Sequence, residues 1–191
     1  MTDRTLYVGT VGEGLWRSKD LGESYERLSN GLFIEADVRA IVVHPSDRKT
    51  LYAGTNCGIY KSEDAGQSWR LLNAGFGSGW PRTTDQEVWS LAIVPEKPDV
   101  VFAGVCPAAI YRSIDAGETW RLSDTGIRRE CGPIMYSRVT CLSIEPGAAA
   151  AIWAGVEIDG IRVSNDLGET WESRSEGLSS LDIHSLLIRG Q

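Results

Sequence analysis

One type of segment, in which apolar and polar residues alternate, recurs four times along the chain. In its first copy Ile41 and Val43 share one face by the two-residue period of a strand. Three of the four copies end in proline, which suits a strand end because proline cannot donate to the hydrogen-bond ladder. The sequence therefore predicts four equivalent β-strands, over residues 38–45, 88–95, 139–146 and 183–189.

Two further apolar segments and one very short one follow in a fixed order. The second strand carries a glycine at a constant place, which predicts close approach of a neighbouring sheet. Its copies are residues 6–10, 51–55, 101–105 and 152–156. The third strand covers residues 15–18, 59–62, 110–113 and 161–164, and the fourth is short, as at 68–72. Short, evenly spaced strands of this kind predict an all-β protein, a β-propeller of four-stranded antiparallel blades.

An eight-residue motif separates the third and fourth strands of every repeat. Its copies are residues 18–25, 62–69, 113–120 and 164–171, at spacings of 44, 51 and 51 residues. In such a motif an aspartate accepts bonds from downstream N–H groups, a glycine supplies positive φ, and an aromatic residue starts the next strand. We predict a structural role for Asp20, Gly22, Tyr25, Asp64, Gly66, Trp69, Asp115, Gly117, Trp120, Asp166, Gly168 and Trp171.

The motif follows the pattern Ser-x-Asp-x-Gly-x-Ser/Thr-Trp, with Tyr25 as its one departure. It resembles the Asp box of the bacterial neuraminidase repeat proteins. The chain is thereby similar to proteins of the sialidase superfamily and to photosystem II stability or assembly-factor-like repeat proteins, and more loosely to sortilin-type propellers. The resemblance implies that the motif is a structural turn on propeller blades, remote from the ligand-binding face.

We interpret residues 1–191 as a single propeller array, with repeats at 6–50, 51–100, 101–151 and 152–191. The first blade lacks its innermost strand, and residues 183–189 are a spare strand that could complete it. The array could close alone at four blades, share a larger ring with a second copy, or be part of a longer propeller. The last is favoured because Asp-box propellers usually have more blades. An open array would expose strand edges and so could self-associate.

Composition and charge narrow the possible partners. The net charge of −7 argues against nucleic acid, because phosphate binding needs a basic surface. No apolar run approaches 18 residues, so no membrane span is predicted. The N-terminal segment has no signal-peptide pattern, so a cytoplasmic location with reduced cysteines is expected. We predict no cofactor and no metal site, since Cys57, Cys106 and Cys131 match no known ligand spacing.

A ligand site is expected on the face opposite the motif turns, where two long loops cover residues 74–87 and 124–138. Arg39, Trp89 and His184 also share one position at the start of successive first strands, which would place them around the central channel. The predicted ligand-binding residues are Arg39, Trp80, Arg82, Asp85, Glu87, Trp89, Arg129, Tyr136, Arg138, Glu157, Asp159 and His184. The competing interpretation is that the charged residues form solvated ion pairs and that Trp89 and His184 are structural.

Two functions remain open from the sequence. The first is a non-enzymatic binding or scaffold protein whose partner is a protein, a peptide or a carbohydrate, because aromatic and arginine side chains dominate binding surfaces. The second is a sialidase-like or glucanase-like glycoside hydrolase, which needs two positioned carboxyl groups. Candidate carboxylates are Asp85, Glu87, Glu130, Glu157 and Asp182. The Arg-Ile-Pro tripeptide of sialidases is absent from the sequence, which favours the binding protein.

Overall fold

The computed structural model describes residues 4–76, 87–132, 135–147 and 151–189. Four antiparallel sheets follow one another as blades. Blade 1 contains β1 (Leu6–Gly9), β2 (Leu15–Ser18) and β3 (Glu26–Leu28). Blade 2 contains β4 (Val38–Val43), β5 (Leu51–Thr55), β6 (Gly58–Ser62) and β7 (Arg70–Leu71). Blade 3 contains β8 (Glu87–Ile93), β9 (Val101–Cys106), β10 (Ala109–Ser113) and β11 (Arg121–Leu122).

A short hairpin precedes the last blade. It pairs β12 (Glu130–Cys131) with β13 (Met135–Tyr136). Blade 4 contains β14 (Val139–Ile144), β15 (Ile152–Val156), β16 (Gly160–Ser164) and β17 (Glu172–Ser173). Strands pair in chain order within every blade, which confirms the predicted all-β propeller of antiparallel blades. Among the described residues no helix is long and apolar enough to cross a membrane.

The innermost strands hold the blades together at the centre. Strand β8 packs against β4 on one side and β14 on the other. The recurring glycine of the second strand makes this approach possible. A Cβ at Gly54 would lie 2.6 Å from Val88 Cγ1, and one at Gly104 would lie 2.5 Å from Val139 Cγ1. Any side chain at either glycine would therefore push neighbouring blades apart.

The four motif turns have one hydrogen-bond pattern, shown here for blade 2. Asp64 Oδ1 accepts bonds from Ser62 Oγ and from the Ser68 amide, both at 2.8 Å, and Ser68 Oγ donates to Asp64 Oδ2 at 2.6 Å. The Ser68 bonds lower the pKa of Asp64 to about 2. Positive φ occurs at Gly66 (86°) and also at Ala65 (60°), a residue that the sequence did not single out. The turn therefore holds two successive left-handed residues in place.

The turns of blades 2, 3 and 4 also pack on the blade before them. Tyr52 Oη, in blade 2, donates to the carbonyl of Ala116 in the blade 3 turn at 2.9 Å, and Tyr7 Oη does the same to Ala65 at 3.0 Å. A Cβ at Gly117 would lie 2.8 Å from Leu72 Cδ1, so the glycine also permits this close packing. The motif turn thus connects two strands of its own blade and also joins that blade to the preceding one.

The aromatic residue of the motif is buried only where a preceding blade exists. Trp69 is 6% exposed and Trp120 is 2% exposed, and Trp120 stacks edge-on against Phe76 of blade 2. Tyr25, in blade 1, is 48% exposed. Tyr25 therefore buries a smaller fraction of its surface than the two tryptophans, because no blade precedes blade 1 in the described structure.

One expectation about the strands is wrong. Residues 183–189 do not form a strand, although Ile183 begins as an innermost strand would, with its side chain against Gly155 and its amide 3.4 Å from the Val156 carbonyl. Past Ile183 no strand pairs with this segment in the described structure, so it has no ladder to join. The predicted long loop at 124–138 contains the β12–β13 hairpin.

We expect Trp120→Ala to lower the free energy of unfolding by about 3–5 kcal/mol, because it removes a buried indole between two blades. Tyr25→Ala changes the same repeat position where it is exposed, and should cost about 0.5 kcal/mol or less. Urea denaturation followed by circular dichroism measures both. Equal losses for the two variants would show that the aromatic residue does not act between blades.

Candidate functional site

The site is built on an irregularity shared by the three complete blades. The pairing register shifts between Val38 and Ala40 in β4, and at the equivalent places in β8 and β14. The skipped residues are Arg39, Trp89 and Thr140. A β-bulge redirects the side chain of the skipped residue, and bulges are common beside functional sites. The bulges lie at the opposite end of the blades from the motif turns, which follow the far ends of β6, β10 and β16.

Trp89 is stacked between arginines of the two adjacent blades. The guanidinium carbon of Arg39 lies 4.5 Å from the indole centroid, and that of Arg138 also lies 4.5 Å from it. Cation–π contacts of this kind strengthen when the cation is partly desolvated, and the Arg39 side chain is only 19% exposed. The sequence placed these three residues together, and the structure adds the stacking.

Carboxylates pair with both arginines. Arg39 Nη2 lies 3.0 Å from Asp37 Oδ2, and Arg39 Nη1 lies 3.5 Å from Glu87 Oε2. Trp89 Nε1 also donates to Glu87 Oε2, at 3.3 Å. We call the group the Arg–Trp cluster; it contains Asp37, Arg39, Glu87, Trp89, Arg138 and Glu157.

The Arg–Trp cluster retains unused hydrogen-bonding capacity. Arg138 Nη1 reaches Glu157 Oε1 at a long 3.4 Å, and Glu157 as a whole is only 8% exposed. Three of its buried atoms have no hydrogen-bond partner in the described structure: Arg39 Nη1, Arg138 Nε and Glu157 Oε2. Unsatisfied buried polar atoms are costly, so a water, an ion or a ligand group that pairs with these three atoms would be stabilised.

A second polar group lies beside the cluster on blade 4. Asp159 Oδ2 accepts from Arg162 Nη2 at 2.7 Å and from the Arg128 amide at 3.1 Å. His184 Nε2 lies 3.2 Å from Asp182 Oδ1, and both side chains are largely exposed. Asp159 therefore positions the loop at Arg128, whereas His184 and Asp182 face solvent.

Five other residues were predicted at the site. Trp80, Arg82 and Asp85 lie outside the described residues. Arg129 is exposed, and Tyr136 is half-buried in the β12–β13 hairpin. The structure therefore places Arg39, Glu87, Trp89, Arg138 and Glu157 in one cluster, with Asp159 and His184 adjacent to it.

Two residues at the site were not among the predicted ligand-binding residues, and both had a sequence signal. Asp37 precedes Arg39 by two residues, as Glu87 precedes Trp89 and Asp182 precedes His184. Arg162 occupies a third-strand position where the other repeats have Trp16, Tyr60 and Tyr111. A charged residue in place of a repeated aromatic residue indicates a local function that the repeat does not require.

The thiols near the site are held in the protonated form. Burial raises the pKa of Cys106, with Glu87 as a further cause, and burial likewise raises the pKa of Cys57. A raised thiol pKa disfavours the thiolate that metal binding or nucleophilic chemistry requires. The carboxylates, arginines and imidazole therefore supply the chemistry available at this face.

The Sortilin-Vps10 family model, described as "Sortilin, neurotensin receptor 3", matches residues 13–133, more than half of the chain. The chain belongs to the sortilin/Vps10 family. The human VPS10 domain-containing receptor SorCS3 is 26% identical over 120 residues, which cover 60% of this chain and 9% of that receptor. The matched range includes the Trp89 side of the Arg–Trp cluster but ends before Arg138.

Xyloglucanases are also similar to this sortilin/Vps10 chain. A xyloglucanase of Hypocrea jecorina is 29% identical over 129 residues, which cover 62% of this chain and 14% of that enzyme. The oligoxyloglucan-reducing end-specific xyloglucanase of Emericella nidulans is 25% identical over 142 residues, 70% of this chain and 17% of that enzyme. The chain thus spans less than a fifth of the length of the curated relatives it matches.

Two solved structures resemble the fold. An ancestral GH74 enzyme has a TM-score of 0.70 at 18% identity, covering 89% of this chain and 22% of that one. YCF48 bound to D1 peptide has a TM-score of 0.61 at 14% identity, covering 93% of this chain and 53% of that one. At such low identities the likeness establishes the propeller fold alone.

The stacking at Trp89 can be measured as a coupling energy. We expect a double-mutant cycle of Arg39→Ala and Trp89→Ala to give a coupling of about 0.5–2 kcal/mol, because the pair is close and partly desolvated. The pair Arg27 and Trp16 is the matched control, since its cation lies farther from the ring, at 5.6 Å. Denaturation of the four variants of each pair gives both couplings. A coupling no larger at Arg39 and Trp89 than at the control would contradict the stacking.

Proposed function

We propose that the chain is a non-enzymatic binding module that recognises a charged peptide segment of a partner protein. The observation that carries the proposal is the Arg–Trp cluster, whose buried Arg39 Nη1, Arg138 Nε and Glu157 Oε2 have no hydrogen-bond partner in the described structure. A peptide offers carbonyl and carboxylate acceptors for the arginine donors and amide donors for Glu157. Arginine and tryptophan are also the residues that most often dominate binding energy.

A peptide suits this site better than a sugar ring. Sugars commonly stack on an open aromatic face, whereas Trp89 already contacts the guanidinium groups of Arg39 and Arg138 at 4.5 Å each. The family also supports peptide binding, since its model is described by a receptor. Separately, YCF48, which is similar in fold, was solved with a D1 peptide. The four motif turns, with their shared hydrogen bonds, support the finer assignment to Asp-box repeats.

The second candidate is a glycoside hydrolase, favoured by the similarity to xyloglucanases. Such an enzyme needs a carboxylic acid whose pKa is raised. The carboxyl pKa values that shift in the described structure all shift downward, and they lie in the motif turns or on outer strands and loops. The candidate carboxylates Glu87 and Glu157 each pair with an arginine. These contacts favour binding over acid catalysis.

The binding function is tested by selecting peptides from a random phage-displayed library on the immobilised protein. The enriched peptide is then titrated by fluorescence anisotropy. We expect Arg39→Ala and Arg138→Ala to weaken its binding about tenfold or more, because about 1.4 kcal/mol corresponds to a factor of ten. Arg121→Ala, on the exposed outer strand of blade 3, is the control and should leave binding unchanged. Failure to enrich any peptide, or an equal loss at Arg121, would contradict peptide binding at this site.

The same purified protein is used to test the second candidate, a glycoside hydrolase. The protein is incubated with xyloglucan and with xyloglucan oligosaccharides, and reducing ends are counted. We expect no release of sugar. Turnover that disappears in both Glu87→Gln and Glu157→Gln would instead establish the hydrolase.

We also propose that two copies pair through the open ends of the blade series. Leu6 in β1 is 40% exposed, whereas its repeat equivalents Leu51, Val101 and Ile152 are each fully buried. At the other end, Leu187 is 91% exposed in the segment whose sequence matches an innermost strand. Residues 183–189 of one copy would pair with the inner edge of β1 of the other, an edge that no strand covers in the described structure.

Light scattering after size-exclusion chromatography tests this pairing. We expect a mass of twice 20.9 kDa for the wild type and of 20.9 kDa for a Leu186→Asp, Ile188→Asp variant, which places charge on the face that would be buried. Ser185→Asp, at an exposed position of the same segment, is the control and should stay dimeric. A monomeric wild type would overturn the proposed pairing.

A further inference from the structure

Three potential metal ligands converge beside the Arg–Trp cluster. One ligand atom each of Glu157, Asp182 and His184 lies within 4.8 Å of the other two. The three residues come from two separate parts of the chain: Glu157 follows β15, whereas Asp182 and His184 follow Leu181 near the start of the unpaired segment. Neither the binding of a peptide nor the packing of the blades requires this convergence.

Backbone hydrogen bonds hold the two parts together on both sides of the three ligands. The Gly160 amide donates to the Leu181 carbonyl at 2.9 Å, and the Ile183 amide donates to the Val156 carbonyl at 3.4 Å. Thr140 Oγ1, from the bulge of β14, donates to the Ile183 carbonyl. The spacing between Glu157 and the pair of Asp182 and His184 is therefore set by the main chain, and does not depend on flexible side chains alone.

Glu157 provides an independent indication of a cation. It is 8% exposed, and its Oε2 is buried without a hydrogen-bond partner. Its other oxygen has only the 3.4 Å contact with Arg138, whose guanidinium stacks on Trp89. A buried carboxylate oxygen with no donor is costly unless a cation or a donor joins it. By contrast, Asp159 on the same loop is satisfied by Arg162 and the Arg128 amide.

We propose that Glu157, Asp182 and His184 form a binding site for a zinc ion. Imidazole nitrogen and carboxylate oxygen are both zinc ligands, at about 2.0–2.2 Å from the metal. Two carboxylates with a neutral imidazole balance the charge of a divalent cation. Ligand atoms on a tetrahedral zinc lie about 3.3 Å apart. Asp182 Oδ1 and His184 Nε2 are already 3.2 Å apart, so zinc binding requires only that this exposed pair move closer to Glu157. With three protein ligands, the fourth position would remain open to water or to an acceptor group of a bound partner.

The test is calorimetric titration of Zn²⁺ into the tag-free protein, with every variant checked by thermal melting. We expect one zinc per chain for the wild type, and an affinity at least about tenfold lower for His184→Ala and for Glu157→Gln. His184 is 66% exposed in its side chain, so its removal should leave the fold intact. His44→Ala removes the other histidine, which lies at the far end of β4, and should bind zinc as the wild type does.

A second measurement identifies the ligands. Co²⁺ substituted for zinc should give a spectrum without a thiolate charge-transfer band, because no sulfur is expected at the site. The absence of zinc binding by the wild type would overturn the proposal, as would an equal loss in His44→Ala or a thiolate band in the cobalt protein. The titration uses the metal alone, so its outcome is separate from whether a peptide binds.

Discussion

The packing of the motif turns of blades 2 to 4 on the preceding blade is the contact on which the rest of the structure depends. The turn is made rigid by an aspartate that accepts three hydrogen bonds, as Asp64 does. The carbonyl of the next residue, Ala65, then accepts a hydrogen bond from the phenol of Tyr7 in the preceding blade. Because the aromatic residue that follows is buried by this packing, one short segment both closes a blade and fixes its neighbour. The stability of the blade series is then a sum over adjacent pairs, as in other repeat proteins.

Because each of these turns packs on the blade before it, the first and the last blade of the series have different unpaired surfaces. At the first end, Tyr25 is 48% exposed, and no strand of the described structure pairs with the inner edge of β1. At the other end, Ile183 takes the place of an innermost strand against Gly155 but has no ladder to extend. The two ends could pair with each other. One end has the open edge of β1, and the other has residues 183–189, whose sequence pattern is that of an innermost strand.

The charged and aromatic residues of the Arg–Trp cluster lie where bulges interrupt the regular pairing of the blades. The bulges at Arg39, Trp89 and Thr140 redirect side chains that would otherwise alternate into the packing between sheets. Three successive blades then present different residues from the same position. The repeat sets the distance between these side chains, and the differences in sequence set their chemical character. The stacked arginines, their carboxylates and the Glu157 oxygen without a partner all depend on this arrangement.

The sequence by itself determined the strands of the four blades, their order and the turns between them, because all of these follow from local patterns repeated along the chain. It also predicted Arg39, Trp89 and His184 as equivalent positions. Tertiary structure alone decided that Tyr25 is exposed, that residues 183–189 remain unpaired, and that Trp89 stacks between two arginines. Each of these depends on which blade lies next to which, and contacts between blades are made by residues about fifty positions apart whose distances no local pattern encodes.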